Sequence, residues 1–272
     1  DGAVSFTIDG TAAAAGNNAL VQVVDVTDGS SMVFDSEAPT LTAASIASNN
    51  AVPTLAKAGN TVTVSITASE AIAEPTCVFA DVADTSVTYG GSGTDWTCAV
   101  DVASGDPAGA VSFTIDGTDL AGNAFSQVVD VTDGSSVVFD ETAPTVDAAS
   151  ISSSNAGASL AKAGETITLT ITASEPIQAP TCVFKTASIN LVGGTVYVVD
   201  TSSASGIDWT CTVTMQDDDT PGAVSFTIDG FDLAGNALVQ RTAVTQSPTS
   251  MTFDNAAPTL SAVAISSDNA AA

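Results

Sequence analysis

The chain has 272 residues, 44% hydrophobic but only 5% aromatic, and its 4 Lys plus Arg against 31 Asp plus Glu give a formal charge of −27 with no histidine. That charge repels nucleic acid and anionic lipid, which are bound through a basic footprint, and the missing imidazole removes the commonest general base and any Ser-His-Asp triad. Val, Ile and Thr recur throughout, unlike a disordered acidic tract, and no apolar run nears the ~20 residues that span a bilayer.

The phrase Gly-Ala-Val-Ser-Phe-Thr-Ile-Asp-Gly starts at Gly2 and returns at Gly109 and Gly222. The chain therefore opens in mid-strand and reads as a piece of a longer protein. A second phrase, Asp-x-x-Ala-Pro-Thr, starts at Asp35, Asp140 and Asp254, at spacings of 105 and 114 residues. Such a period suits one β-sandwich of ~100 residues and is too long for a solenoid repeat of ~20–45. Residues 1–34 then form the C-terminal part of one domain. Residues 35–139 and 140–253 are complete domains, and 254–272 open a further one.

Within 35–139 the pattern predicts strands near 39–48, 60–69, 75–82, 86–90, 95–102, 109–116 and 125–139, the last breaking near Gly134. In the second of these, Val62, Val64, Ile66 and Ala68 alternate with Thr61, Thr63, Ser65 and Thr67. The next repeat gives Ile167, Leu169, Ile171 and Ala173. Residues 109–116 place Val111, Phe113 and Ile115 on one face. Period two with one apolar and one hydroxyl face predicts antiparallel sheets wet on one side, in a register that a one-residue slip would invert. No segment carries sustained helical spacing.

Four cysteines fall as two pairs, Cys77 with Cys98 and Cys182 with Cys211, one pair per repeat. Repeat-locked pairs favour structural disulfides and an oxidising compartment; the alternative is two buried free thiols per domain. Zinc is a poor fit, since histidine is absent and the spacing is far from CxxC. Trp96 and Cys98 share parity, as do Cys77 and Phe79, which puts the bridge in the core beside a Trp. Nearly all the extra length of the third repeat lies between its cysteines, near 185–206, and marks a surface hairpin or loop. The run Asp217 to Asp219 reads as a solvated acidic loop.

The runs Asp-x-x-Ala-Pro-Thr, Ala-Gly-(Asn/Glu)-Thr, Ala-Ser-Glu and Asp-Leu-Ala-Gly-Asn together resemble the bacterial Ig-like tandem repeats of large secreted adhesins and extracellular filament proteins. More distantly they look like cadherin and fibronectin III sandwiches. The resemblance covers essentially the whole chain and implies an all-β fold of immunoglobulin-like antiparallel β-sandwich domains arranged end to end. Paired cysteines depart from the usual bacterial pattern and point toward a eukaryotic microbe or alga with cell-surface fibres.

In such a sandwich loops cluster at the two ends. Asp35, Glu70 and Asp119 are then expected to converge at one end, with Asn123 nearby, and Asp140, Glu175 and Asp232 in the next repeat, with Asn236. Calcium, a hard cation taking six to eight oxygens, is the ion these ligands suit; the resemblance implies calcium at domain junctions. The alternative is that Glu70 and Asp119 only cap turns. The first repeat, Thr11-Ala-Ala-Ala-Ala-Gly-Asn, lacks the acid that matches Asp119.

The expected function is that of a non-enzymatic extracellular structural protein, the shaft of a cell-surface filament, hair or adhesin stalk. Its expected partners are neighbouring repeats, other copies of itself and the cell surface or matrix. The rival is a ligand-binding adhesin or receptor module that uses the third-repeat insertion, with Tyr197 as anchor.

Overall fold

The computed structural model describes residues 2–7, 30–80, 82–83, 86–187, 189–191, 196–200 and 205–266. The chain forms two compact units, the first ending at Glu141 and the second starting at Thr142. Among the described residues all regular structure is strand, and no helix is long and apolar enough to cross a membrane.

The first unit contains β1 (Gly2–Ala3), β2 (Val33–Phe34), β3 (Leu41–Ser48), β4 (Leu55–Ala56), β5 (Thr61–Ala68), β6 (Thr76–Phe79), β7 (Thr88–Ser92), β8 (Asp95–Asp101), β9 (Gly109–Ala110), β10 (Phe113–Asp116) and β11 (Val138–Phe139). One layer is the sheet β3-β5-β8-β7; the other is made of β6 with β10 and of β4-β11-β9. The second unit contains β12 (Val146–Ser153), β13 (Leu160–Ala161), β14 (Thr166–Ala173), β15 (Thr181–Thr186), β16 (Ile189–Asn190), β17 (Tyr197–Asp200), β18 (Asp208–Thr214), β19 (Gly222–Asp229) and β20 (Met251–Phe253). Its layers are β12-β14-β18-β17 and β13-β20-β19-β15-β16.

Alternation builds both cores. Val62, Val64, Ile66 and Ala68 of β5 are buried while the intervening hydroxyl residues are not. β14 repeats this with Ile167, Leu169, Ile171 and Ala173. Opposite them lie Phe79, Phe113, Ile115 and Phe139 in the first unit, and Phe184, Phe226, Ile228 and Phe253 in the second. Burying each of these side chains contributes roughly 1.5–3 kcal/mol.

A disulfide crosses the layers in each unit. Cys77 on β6 joins Cys98 on β8, and Cys182 on β15 joins Cys211 on β18. The tryptophan two residues before the second cysteine anchors to backbone: Trp96 Nε1 donates to Gly93 O at 3.2 Å and Trp209 Nε1 to Gly206 O at 2.9 Å.

Residues 125–139, expected as one long strand breaking near Gly134, form strand only at Val138–Phe139. Val128 exchanges bonds of 2.8 and 3.0 Å with Ile115 in one layer. The chain then leaves that layer and docks on the open edge of β3. Thr132 N donates to Ala44 O, Ala44 N to Thr132 Oγ1, and Ile46 N to Ser135 Oγ, at 2.8, 3.0 and 2.8 Å. Hydroxyl groups thus replace ladder bonds where the chain touches both layers. Thr245 does the same against Ala149 in the second unit. Residues 109–116, expected as one strand, split into β9 and β10, whereas their counterpart β19 is continuous.

The ladder Gly2↔Phe34 has the register of Gly109↔Phe139 and Gly222↔Phe253. Phe139 and Phe253 are fully buried, while Phe34 is exposed.

Replacing Cys77 and Cys98 together by Ala should lower the unfolding free energy of the first unit by about 3 kcal/mol, the chain-entropy value for a loop of this size. Urea titration under non-reducing conditions would check this; an unchanged midpoint would mean the bridge constrains nothing.

Candidate metal centre

The Asp-Leu-Ala-Gly-Asn motif folds into a tight loop around its own first side chain. Asp119 Oδ1 accepts the backbone amides of Ala121, Gly122 and Asn123 at 2.8, 2.6 and 2.8 Å. Asn123 Nδ2 donates to Asp119 Oδ2 at 2.7 Å and to Asp35 O at 3.2 Å. The Asp119 amide closes the loop on Asn123 O at 3.0 Å. Gly122 sits at φ +100 with open space where a Cβ would be. Glycine is required there by backbone strain and not by crowding.

This loop brings three carboxylates together. Asp119 is buried, Asp35 and Glu70 are half-buried, and one oxygen from each lies within 4.8 Å of the others. Strand geometry does the positioning: Glu70 follows the end of β5, Ile72 bridges to Asp119, and the Ser69 amide donates to Thr40 O at 2.8 Å. Glu37, two residues beyond Asp35, adds a fourth negative charge. Sequence reading missed it, although its spacing from Asp35 was visible.

The two inner carboxyls differ in acidity. Burial pushes Glu70 above the usual carboxylate range, and the charges of Asp35, Asp119 and Glu37 push the same way. Burial acts to raise Asp119 as well, but the bonds from Asn123, Gly122 and Ala121 outweigh it and hold its carboxyl below the usual range. Among the described residues the charges acting on Glu70, those of Asp35, Asp119 and Glu37, are negative. Chemically this is a cage of hard oxygens with one saturated wall, of the donor type that calcium takes.

The second set of candidate residues falls in two units. Asp140 lies at the end of the first, its amide donating to Ala56 O at 2.8 Å. Glu175 and Asp232 lie in the second. Asp232 is buried, its Oδ1 accepts the amides of Gly235 and Asn236 at 2.6 and 2.8 Å, and its Oδ2 accepts Asn236 Nδ2 at 2.8 Å. The loop chemistry of Asp119 is thus reproduced. Thr11 to Asn17, the deviant first-repeat copy, lie outside the described residues.

Two more buried acids are turn clamps. Asp106 accepts the amides of Ala83 and Ala103, each at 2.8 Å. Asp219, expected in a solvated run, is buried and accepts the Gln216 amide at 2.8 Å; Asp217 and Asp218 remain exposed. The signal was the shared offset of Asp106 and Asp219 from Gly109 and Gly222.

Two layers of mainly antiparallel strands, with one parallel pair in each unit (β4 with β11, β13 with β20) and a core disulfide between the layers, define a protein of immunoglobulin-like β-sandwiches. The second sandwich is similar to a bacterial Ig-like domain: residues 140–252 match the model of that family, which points to a structural or adhesion-type module. A search among curated proteins finds no match.

Two outcomes follow for the metal-free protein. The raised Glu70 favours the fold at low pH, a contribution lost as pH rises through its folded pKa; the depressed Asp119 contributes stability above its unfolded pKa, lost as pH falls through its folded one. With chelator at pH 7, Glu70→Gln should therefore raise the melting temperature and Asp119→Asn lower it, read by circular dichroism; equal shifts would contradict the assignment. Gly122→Ala should cost about 1–2 kcal/mol from backbone strain alone.

Proposed function

We propose that the chain is a length of an extracellular structural shaft, the stem of a cell-surface filament, hair or adhesin stalk, with no catalytic role. Repetition carries this reading. The layer-crossing disulfide, the Trp-to-backbone bond, the aspartate-centred loop and the edge-docked threonine each occur once per unit. A catalytic centre is a constellation unique to one place, and here the distinctive groups are shared. Disulfides in both units favour an oxidising, extracellular setting. The described part of the third-repeat insertion includes two strands, β16 on β15 and β17 on β18 in the place that β7 holds on β8, which favours the shaft over a ligand-presenting loop. Neighbouring repeats and further copies of the chain at the cell surface or matrix are its partners.

Calcium is the ion proposed for Asp35, Glu70 and Asp119, and by repeat equivalence for Asp140, Glu175 and Asp232. Three converging carboxylates, with the negative charges of Asp35, Asp119 and Glu37 acting on Glu70 and with Asp119 already oriented by four hydrogen bonds, support it. Bound calcium would offset the mutual repulsion and stiffen the ends of the sandwiches.

Calcium should raise the melting temperature of the full chain, by about 2.7 kcal/mol of stabilisation per site at a hundredfold excess over Kd. The double variant Glu70→Gln, Glu175→Gln should keep the fold and lose that increment, and a wild-type melting curve indifferent to calcium and chelator would reject the ion. Immunogold electron microscopy of native material should decorate fibres or stalks; label confined to the cell interior would overturn the shaft itself.

A further inference from the structure

An exposed sheet edge offers a row of amides and carbonyls to any strand that reaches it, and proteins usually guard such edges with charge, proline, glycine or a covering segment. The two sheets headed by β3 and β12 guard one side in this manner. Thr132 and Ser135 cover the β3 edge, and Thr245 covers the β12 edge. The opposite edges are β7 and β17. β7 is guarded by composition, since it reads Thr-Tyr-Gly-Gly-Ser and its Tyr89 hydroxyl is turned inward to accept the Cys77 amide at 3.3 Å. β17 reads Tyr-Val-Val-Asp and pairs only with β18 among the described residues. Val198 stands opposite Cys211 and packs on the core, so Tyr197 and Val199 face outward, 64% and 55% exposed. The strand has no Lys, Arg, Pro or Gly.

We infer that the Tyr197–Asp200 edge of the second unit is a lateral self-association edge, whose partner is the same strand of a second copy in antiparallel register. A two-fold axis through Val198 keeps both outer faces on one side and sets each Tyr197 opposite the other copy's Val199. Aromatic–β-branched pairs of this kind favour strand pairing, and a two-fold contact is self-complementary. A second copy fits the edge better than a charged partner because the outward side chains are neutral. The formal charge of −27 on each copy opposes the contact until salt screens it. Four residues of edge bury well under the ~1,000 Å² of a stable interface, so one contact is weak and gains strength only when repeated along aligned chains.

Sedimentation equilibrium of the full 272-residue chain, with calcium held constant, reads this directly. Dimer should appear at high protein concentration and increase severalfold between ~0.05 and ~0.5 M NaCl. Tyr197→Lys and Val199→Lys, both on exposed positions, should each weaken association at least tenfold while leaving the melting temperature intact. Thr88→Lys on the guarded edge should change nothing. A wild-type chain monomeric throughout, or association indifferent to both lysines, would overturn the inference. Neither outcome bears on calcium binding or on the shaft.

Discussion

A sheet whose side chains alternate between valine or isoleucine and threonine can exist in water only with its apolar face against another such face. Everything in this protein follows from that pairing of layers. Aromatic residues are few, and most of them line one layer of each core, so the facing layer rests on β-branched and small side chains that each contribute less buried area than a ring would. The disulfide between layers adds to this: Cys77–Cys98 and Cys182–Cys211 belong to the two clusters and hold the sheets together independently of burial.

The loops at the ends of the sandwich inherit their geometry from this frame. Asp119 is buried although it is an acid, because three amides of its own loop and the Asn123 side chain satisfy it. Such an aspartate is structural first. Its approach to Asp35 and Glu70 depends on where the strands end, and not on the loop alone. Asp119 caps a turn, as one reading of the sequence expects, and that turn aims its carboxylate toward Asp35 and Glu70.

Much of the fold was legible because period-two alternation is local. Val62 to Ala68 and Ile167 to Ala173 were readable as buried faces without any knowledge of partners, and the paired cysteines followed from repetition. Residues 125–139 were not, because their apolar content suggests a strand while their path is set by which open edge lies within reach of Thr132 and Ser135. That is a three-dimensional fact with no local signature. The break of 109–116 into β9 and β10 is of the same kind, since β19 carries the same Gly-Ala-Val-Ser-Phe-Thr-Ile-Asp phrase and does not break. The cluster of Asp35, Glu70 and Asp119 was found from loop topology, which the strand pattern supplies. Asp219 was misread because acid runs are usually wet, and only its equivalence to Asp106 distinguishes it from Asp217 and Asp218.

The placement of the two bridges has a mechanical consequence. When a tether is pulled at its ends, an unravelling domain normally surrenders its whole contour length. Here the segment between Cys77 and Cys98 is shorted out of the load path, as is the one between Cys182 and Cys211, with separations of 21 and 29 residues. At ~3.5 Å per residue, roughly 70 Å and roughly 100 Å of slack stay locked however far the rest is drawn out. The longer third repeat thus yields hardly more rope than its shorter neighbour, because its additional residues are almost all inside the covalent ring.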